Sequence, residues 1–234
     1  MLALIEALES QDRSVETTEG LAETAKLRML YLLAGQPDDA MRKIEGLTPT
    51  EQDYLRYQMM TLWSVLDPDG SPSKLRRWDK SLENLRLASG HLAAATEALD
   101  VGGIAFCTEV ESYGRITPFK EYKLEPGQQV ILYCEIDNFA AERLSDGYET
   151  HFQGSYDLFD AKGVRVAEQV LPADKQSCNN FRRDYFIAYR LYLPKQLEPG
   201  PHRIQLTIED LKGKKYGQSS LDFEVVAKAA PAAQ

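Results

Sequence analysis

The spacing of apolar residues along this chain changes once, at Val101-Gly102-Gly103, and that change limits what the chain can fold into. Before it, apolar side chains recur every three or four residues: Leu21, Ala25, Met29, Leu32 and Leu33, then Leu55, Met59, Leu62, Trp63 and Leu66. Such spacing puts each set on one face of a helix. After it, short runs alternate apolar and polar positions, and turn signals return about every eight to twelve residues, as in packed antiparallel strands. Residue types divide at the same point. All eight phenylalanines, all three cysteines and nine of the twelve tyrosines follow it, and sheets favour aromatic residues. The sequence therefore predicts an α+β protein of two domains. An N-terminal all-α helical-hairpin bundle fills 1–101, a C-terminal antiparallel β-sandwich of seven to eight strands fills 102–227, and a flexible tail covers 228–234.

Local signals sharpen the helical half. Thr48-Pro49-Thr50-Glu51 supplies a capping hydroxyl, a proline for the first turn and a glutamate that can reach back, and Ser71-Pro72 repeats the first two. A longer stripe, Leu75, Trp78, Leu82, Leu85, Ser89, Leu92, Thr96 and Leu99, keeps the alternating three-and-four step of a heptad. It predicts one helix of ~25 residues, roughly 37 Å long. The expectation is that this helix packs its stripe along its neighbours inside the bundle, with a coiled-coil dimer as the alternative.

The helices also echo each other at an offset of 34 residues: Leu21 with Leu55, Met29 with Trp63, Leu32 with Leu66, Ile44 with Trp78. Residues 27–47 resemble a tetratricopeptide hairpin, with Leu27, Tyr31, Ala40, Ile44 and Leu47 at that family's packing positions. Thr24 and Arg28 depart from it where the family prefers tryptophan and glycine, and Lys74 takes the small-residue position of the second copy. In the second half, strands are predicted near 103–112, 117–123, 128–138, 150–159, 163–170, 184–193, 202–210 and 215–226. "PGQQVILYCEIDN" and "PGPHRIQLTIED" resemble the immunoglobulin-like and fibronectin-like sandwiches of bacterial proteins. The whole is similar to bacterial-type proteins that join tetratricopeptide-like hairpins to an immunoglobulin/fibronectin-III-like sandwich, an architecture that brings no function with it.

A net charge of −9 argues against the broad basic field that nucleic acids require. No apolar run approaches the roughly 20 residues of a membrane helix. The opening Met1-Leu-Ala-Leu-Ile-Glu-Ala-Leu-Glu-Ser lacks a basic start and reads as a helix rather than a signal peptide. The compartment stays open, periplasmic or extracellular if the chain is cut from a longer protein. Cys107, Cys134 and Cys178 make no disulfide framework. His91, His151 and His202 lack ligand spacing, and "DPDGS" at 67–71 is a helix-capping turn, not a calcium loop. No catalytic, cofactor-binding or metal-ligating residue is assigned, and no cofactor is expected.

Two groups of residues remain. "NNFRRDYFIAYRLYLP" at 179–194 reads as a strand with Tyr185, Ile187, Tyr189, Leu191 and Leu193 on a core face. Its other face, with the arginines before it, gives a candidate interaction surface: Arg182, Arg183, Phe186, Arg190 and Tyr192. That face is open to domain packing or cross-strand pairing, to a protein or to a glycan. Single-stranded nucleic acid would want more cations among the rings. Glu109 and Glu111, with Glu135 and Asp137 on a neighbouring strand, form a candidate carboxylate cluster for acid–base work, or for charge pairing with Arg182, Arg183 or Arg190. The leading functional reading is a non-enzymatic protein-interaction or scaffold protein with a protein partner. The alternatives are a glycan-binding module using Tyr113, Tyr148, Phe186 or Tyr192, and a carboxylate-dependent hydrolase centred on Glu109 and Glu135.

Overall fold

Thr48 Oγ1 accepts from the Glu51 N–H while the Glu51 carboxylate accepts from the Thr48 N–H (2.8 Å), and this reciprocal cap starts an 18-residue helix with Pro49 in its first turn. A computed structural model describes residues 1–11 and 14–227. The chain divides into two compact units, Met1–Ala95 and Thr96–Gln234. The first carries α1 (Leu2–Glu9), α2 (Thr18–Leu33), α3 (Pro37–Ala40), α4 (Pro49–Leu66) and α5 (Lys74–Ala95). Its core is small: Ile5, Leu27, Tyr31, Leu32, Ala40 and Met59, with Trp63 packed against them. In the turn between α4 and α5, Arg77 donates to the carbonyls of Val65 (2.9 Å), Asp67 and Ser71 (2.6 Å each), which satisfies acceptors that the end of α4 leaves open.

The described residues of the second unit form eleven strands: β1 (Asp100–Ser112), β2 (Arg115–Pro118), β3 (Lys123–Leu124), β4 (Gln129–Asp137), β5 (Glu142–Leu144), β6 (Gly147–Asp160), β7 (Arg165–Val170), β8 (Asp174–Cys178), β9 (Tyr185–Tyr192), β10 (Gly200–Asp210) and β11 (Lys215–Val225). One sheet runs β2-β1-β4-β9, and the other runs β3-β11-β10-β6-β5 with β7 and β8 also on β6. Alternate residues of both sheets meet in a single core, including Phe106, Leu132, Ile136, Phe152, Tyr185, Ile204, Leu206 and Phe223. The β10–β11 turn is tied by a buried carboxylate. Asp210 Oδ1 accepts from the N–H groups of Lys212 and Gly213 (3.0 Å each), and Oδ2 accepts from Ala140 N–H (2.7 Å).

These elements correct the predicted fold class. With 30% helix and 38% strand, the chain is a mixed α and β protein with a β-rich body, not an all-α helical-hairpin bundle followed by an antiparallel sandwich of seven to eight strands. The second sheet is mixed, because β3 runs parallel to β11. The predicted strand at 117–123 is not one strand, since the chain makes its last bond to the first sheet from the Phe119 N–H to the Phe106 carbonyl (3.0 Å) and then meets β11, where the Tyr122 carbonyl accepts from the Glu224 N–H (2.8 Å). The tetratricopeptide-like hairpin is corrected as well. Its second helix is the single turn α3, and 41–48 lies outside any helix, with Gly46 at φ 90° and the Ile44 N–H donating to Gln52 Oε1 (2.7 Å). The long helix has 22 residues rather than ~25, and Leu99 is buried in the sheet core. The predicted tail at 228–234 lies outside the described residues.

Candidate interaction surfaces

Helix α5 carries two stripes at heptad spacing, and the less apolar one faces α4. Ser81 Oγ donates to the Thr61 carbonyl (3.2 Å), Asn84 Nδ2 to Ser64 Oγ (3.1 Å), and His91 stacks on Tyr57 with ring centroids 5.5 Å apart. With Arg77 and the buried Ala88, these residues form a polar, small-residue seam that lets the helices approach closely. Leu75, Trp78, Leu82, Leu85 and Leu92 turn outward instead, 69, 52, 45, 45 and 45% exposed. The expected packing of this stripe inside a bundle is therefore corrected. A run of five large apolar residues along one side of a helix is unusual on a protein that keeps its apolar groups covered. Lys74 lies over the Trp78 ring, its Nζ 4.4 Å from the centroid.

On the other side of this helix pair, a cavity of about 280 Å³ is lined by Met60, Trp63 and Ser64 of α4 and by Arg76, Arg77, Lys80 and Asn84 of α5. Residues of α4 follow each other at 100°, so Leu62 and Val65, 40 and 48% exposed, fall on the side away from the cavity, beside the α5 stripe. Sequence reasoning found the stripe but not its direction. The Ser81/Asn84/Ala88/His91 seam was the signal that a second face existed to be packed.

In the sheet unit, β9 forms the edge of the four-stranded sheet. Leu193 N–H donates to the Gln128 carbonyl (2.9 Å), which fixes the ladder so that Tyr185, Ile187, Tyr189 and Leu191 bond toward β4. Phe186, Ala188, Arg190 and Tyr192 therefore direct their main-chain groups to the outer edge. Arg190 lies opposite Ile131, and Tyr192 is 64% exposed. Arg182 is tied down, with Nη1 donating to Gln176 Oε1 (2.8 Å) and the guanidinium 5.2 Å from the Tyr185 ring centroid. Arg183 is exposed.

The register sets Glu109 apart from Glu135 and Asp137 along the first sheet. Cys107 opposes Ile131 and Gly102 opposes Glu135, so Glu109 lies beyond one end of the β4 ladder while Glu135 and Asp137 lie at the other. Glu109 is exposed opposite Thr117, and Glu111 pairs with Arg115 (2.8 Å). Glu135 and Asp137 instead gather Asp100, Asp184, Tyr113 and Tyr133. Desolvation pushes the Asp137 carboxyl up, and the negative charges of Asp100, Glu135 and Asp184 add to the shift. The tip of the β1–β2 hairpin folds over this spot. Tyr133 donates to Glu135 Oε1 and accepts from the Gly114 N–H (2.8 Å each), and burial pushes its hydroxyl up to about 12. Tyr133 is thus buried on a face that β4 alternation marks as wet, because Tyr113 and Phe186 close over it. Of the rings considered for glycan stacking, Tyr148 packs edge-on against Phe181 and Phe186 lies between Tyr113 and Tyr133.

Among the described residues no cluster of His, Cys, Asp and Glu could hold a metal ion, the three cysteines are free, and no helix is long and apolar enough to cross a membrane. No family model matches the chain, and no curated protein matches it. Similar solved structures include alkylpurine DNA glycosylase AlkC of Pseudomonas fluorescens bound to DNA containing an abasic site analog, at 11% identity and TM-score 0.32, covering 97% of this chain and 64% of that one. Others are a β-glucosidase from Listeria innocua (15% identity, TM-score 0.29, 54% of this chain and 16% of that one) and a family 123 glycoside hydrolase from Clostridium perfringens (11%, 0.34, 58% and 28%). The chain spans less than two thirds of the length of each of these proteins. At TM-scores near 0.3 the likenesses carry no argument about activity.

Proposed function

We propose that the chain is a non-enzymatic protein-interaction protein whose contact surface is the outward stripe of α5, and that its partner presents an amphipathic protein helix with apolar residues at heptad spacing. The observation that carries this reading is the exposure of Leu75, Trp78, Leu82, Leu85 and Leu92 on one side of a 22-residue helix. A helix laid along such a stripe inserts its own side chains between these residues and removes their apolar area from water, the main source of association free energy. Leu62 and Val65 widen the same side.

The test puts a photoreactive benzoyl-phenylalanine in place of Leu85 in the intact chain, expressed in its source cell. Irradiation is expected to give a discrete covalent protein adduct that disappears when Trp78→Lys and Leu82→Lys are added. The reading is refuted if positions 85 and 92 both give no adduct.

A further inference from the structure

We infer that the helix docked on this stripe is α5 of a second copy of the chain, running antiparallel, with the twofold axis passing between Glu83 and Asn84. The inference rests on the proposed function and names its partner. In heptad terms Leu75, Leu82 and Ser89 occupy the first core position, and Trp78, Leu85 and Leu92 the second. An antiparallel pair sets first positions against second ones. Leu75 then meets Leu92 of the other copy, Leu82 meets Leu85, and Trp78, the largest residue of the stripe, meets Ser89, the smallest. A parallel pair would stack Trp78 on Trp78 and Ser89 on Ser89, crowding one layer and leaving a void in another, and both are disfavoured.

Charge selects the same arrangement. The residues flanking the stripe on the side away from α4 are Asp79, Arg86 and Ala93. Asp79 and Arg86 are both exposed, and neither makes an ion pair with another described residue. In the antiparallel register each Asp79 falls within about 3 Å, along the axis, of Arg86 in the other copy, which gives two opposite-charge pairs per dimer. The opposite flank carries Lys74, which lies over the Trp78 ring of its own helix, and then Ser81 and Ala88, which pack on α4 and bring no charge. Leu62 and Val65 of α4 lie alongside, so the docked surface is two helices wide. A strip about 33 Å long and about 20 Å wide covers roughly 650 Å² per copy, inside the range of stable protein interfaces.

The experiment measures the mass of the intact chain by light scattering over a dilution series, with circular dichroism melts to show that each variant folds. The expected result is a species of twice the 26.4 kDa chain mass that dissociates on dilution. Leu82→Lys, at an exposed position, leaves a folded monomer. Asp79→Arg and Arg86→Asp each weaken association about tenfold by setting like charges together, and the double variant Asp79→Arg/Arg86→Asp restores it. Rescue separates the two directions, because in a parallel pair Asp79 meets Lys74 and the double swap repairs nothing. A dimer without rescue overturns the antiparallel register. A chain that stays monomeric, yet gives an adduct with a different protein from position 85, overturns the self-association and leaves the proposed function standing.

Discussion

Replacing Asp210 with asparagine changes one atom of a fully buried carboxylate that organises the end of the β10–β11 hairpin. Oδ1 can still accept from the Lys212 and Gly213 N–H groups, but the atom facing the Ala140 N–H becomes a donor, so a 2.7 Å hydrogen bond becomes a donor–donor contact. Losing a hydrogen bond to a charged group costs about 1.5–3 kcal/mol. The removed charge also matters to Lys215, which is buried nearby. Desolvation lowers its ammonium below the usual lysine range, and Asp210 works against that shift. A loss of about 2 kcal/mol in a unit of roughly 140 residues, at ~2.1 cal/mol/K per residue, lowers the melting temperature by about 7 °C. Far-ultraviolet circular dichroism melts of the intact chain at neutral pH would read it. The share due to Lys215 has a sign of its own. A lysine whose folded value is depressed destabilises the fold while charged, so that share fades as pH rises toward 10.5. If Asp210→Asn melts within about 2 °C of the parent, Asp210 is not the tie described here.

A Cβ at Gly154 would lie 2.4 Å from the Tyr189 hydroxyl, which makes no hydrogen bond to another described residue. Gly154→Ala should therefore cost about 1–3 kcal/mol in urea unfolding, Tyr189→Phe should cost nothing or stabilise, and the double variant should recover part of the loss, since the ring Cζ still lies 2.8 Å from the new Cβ; additive effects would contradict the overlap. Gly217→Ala should prevent stable folding of the sheet unit, because its Cβ would sit 2.3 Å from the Leu99 carbonyl oxygen, main chain that cannot swing aside. Asp137 has a raised folded value, so its contribution is present below its ordinary 3.8 and lost as pH rises through the folded value. Asp137→Asn should accordingly raise stability at pH 7 and leave it unchanged near pH 3, and a loss at pH 7 in thermal melts would show that the carboxylate is held by attraction instead.

Much of the sheet unit was legible in the sequence because strand alternation is enforced on every residue. Tyr185, Ile187, Tyr189 and Leu191 point to the core as their spacing predicts, and β10 returns as β11 through the turn after Asp210. What alternation cannot give is a segment that leaves its own sheet. The hairpin tip at Gly114 curls over Tyr133, and the chain between Pro118 and Lys123 changes sheets, both through contacts distant in sequence. In the helical unit the period of α5 was legible and its orientation was not. A heptad leucine stripe ordinarily marks the buried side, but here hydrogen bonds from Ser81 and Asn84 and the small Ala88 hold α4, which leaves the leucines outward. The carboxylates show a related limit: shared strand faces say nothing about register, and it is register that puts Glu109 beyond one end of the β4 ladder and Glu135 and Asp137 at the other.

Hydroxyl-radical footprinting of α5, compared between the dilute purified chain and the same chain in its cell, bears most directly on the idea that this helix meets another protein. The account predicts that Trp78, Leu82, Leu85 and Leu92 are oxidised freely in the dilute sample and protected in the cell, while Tyr192 reacts alike in both. Equal oxidation of the four residues in the two settings would contradict it.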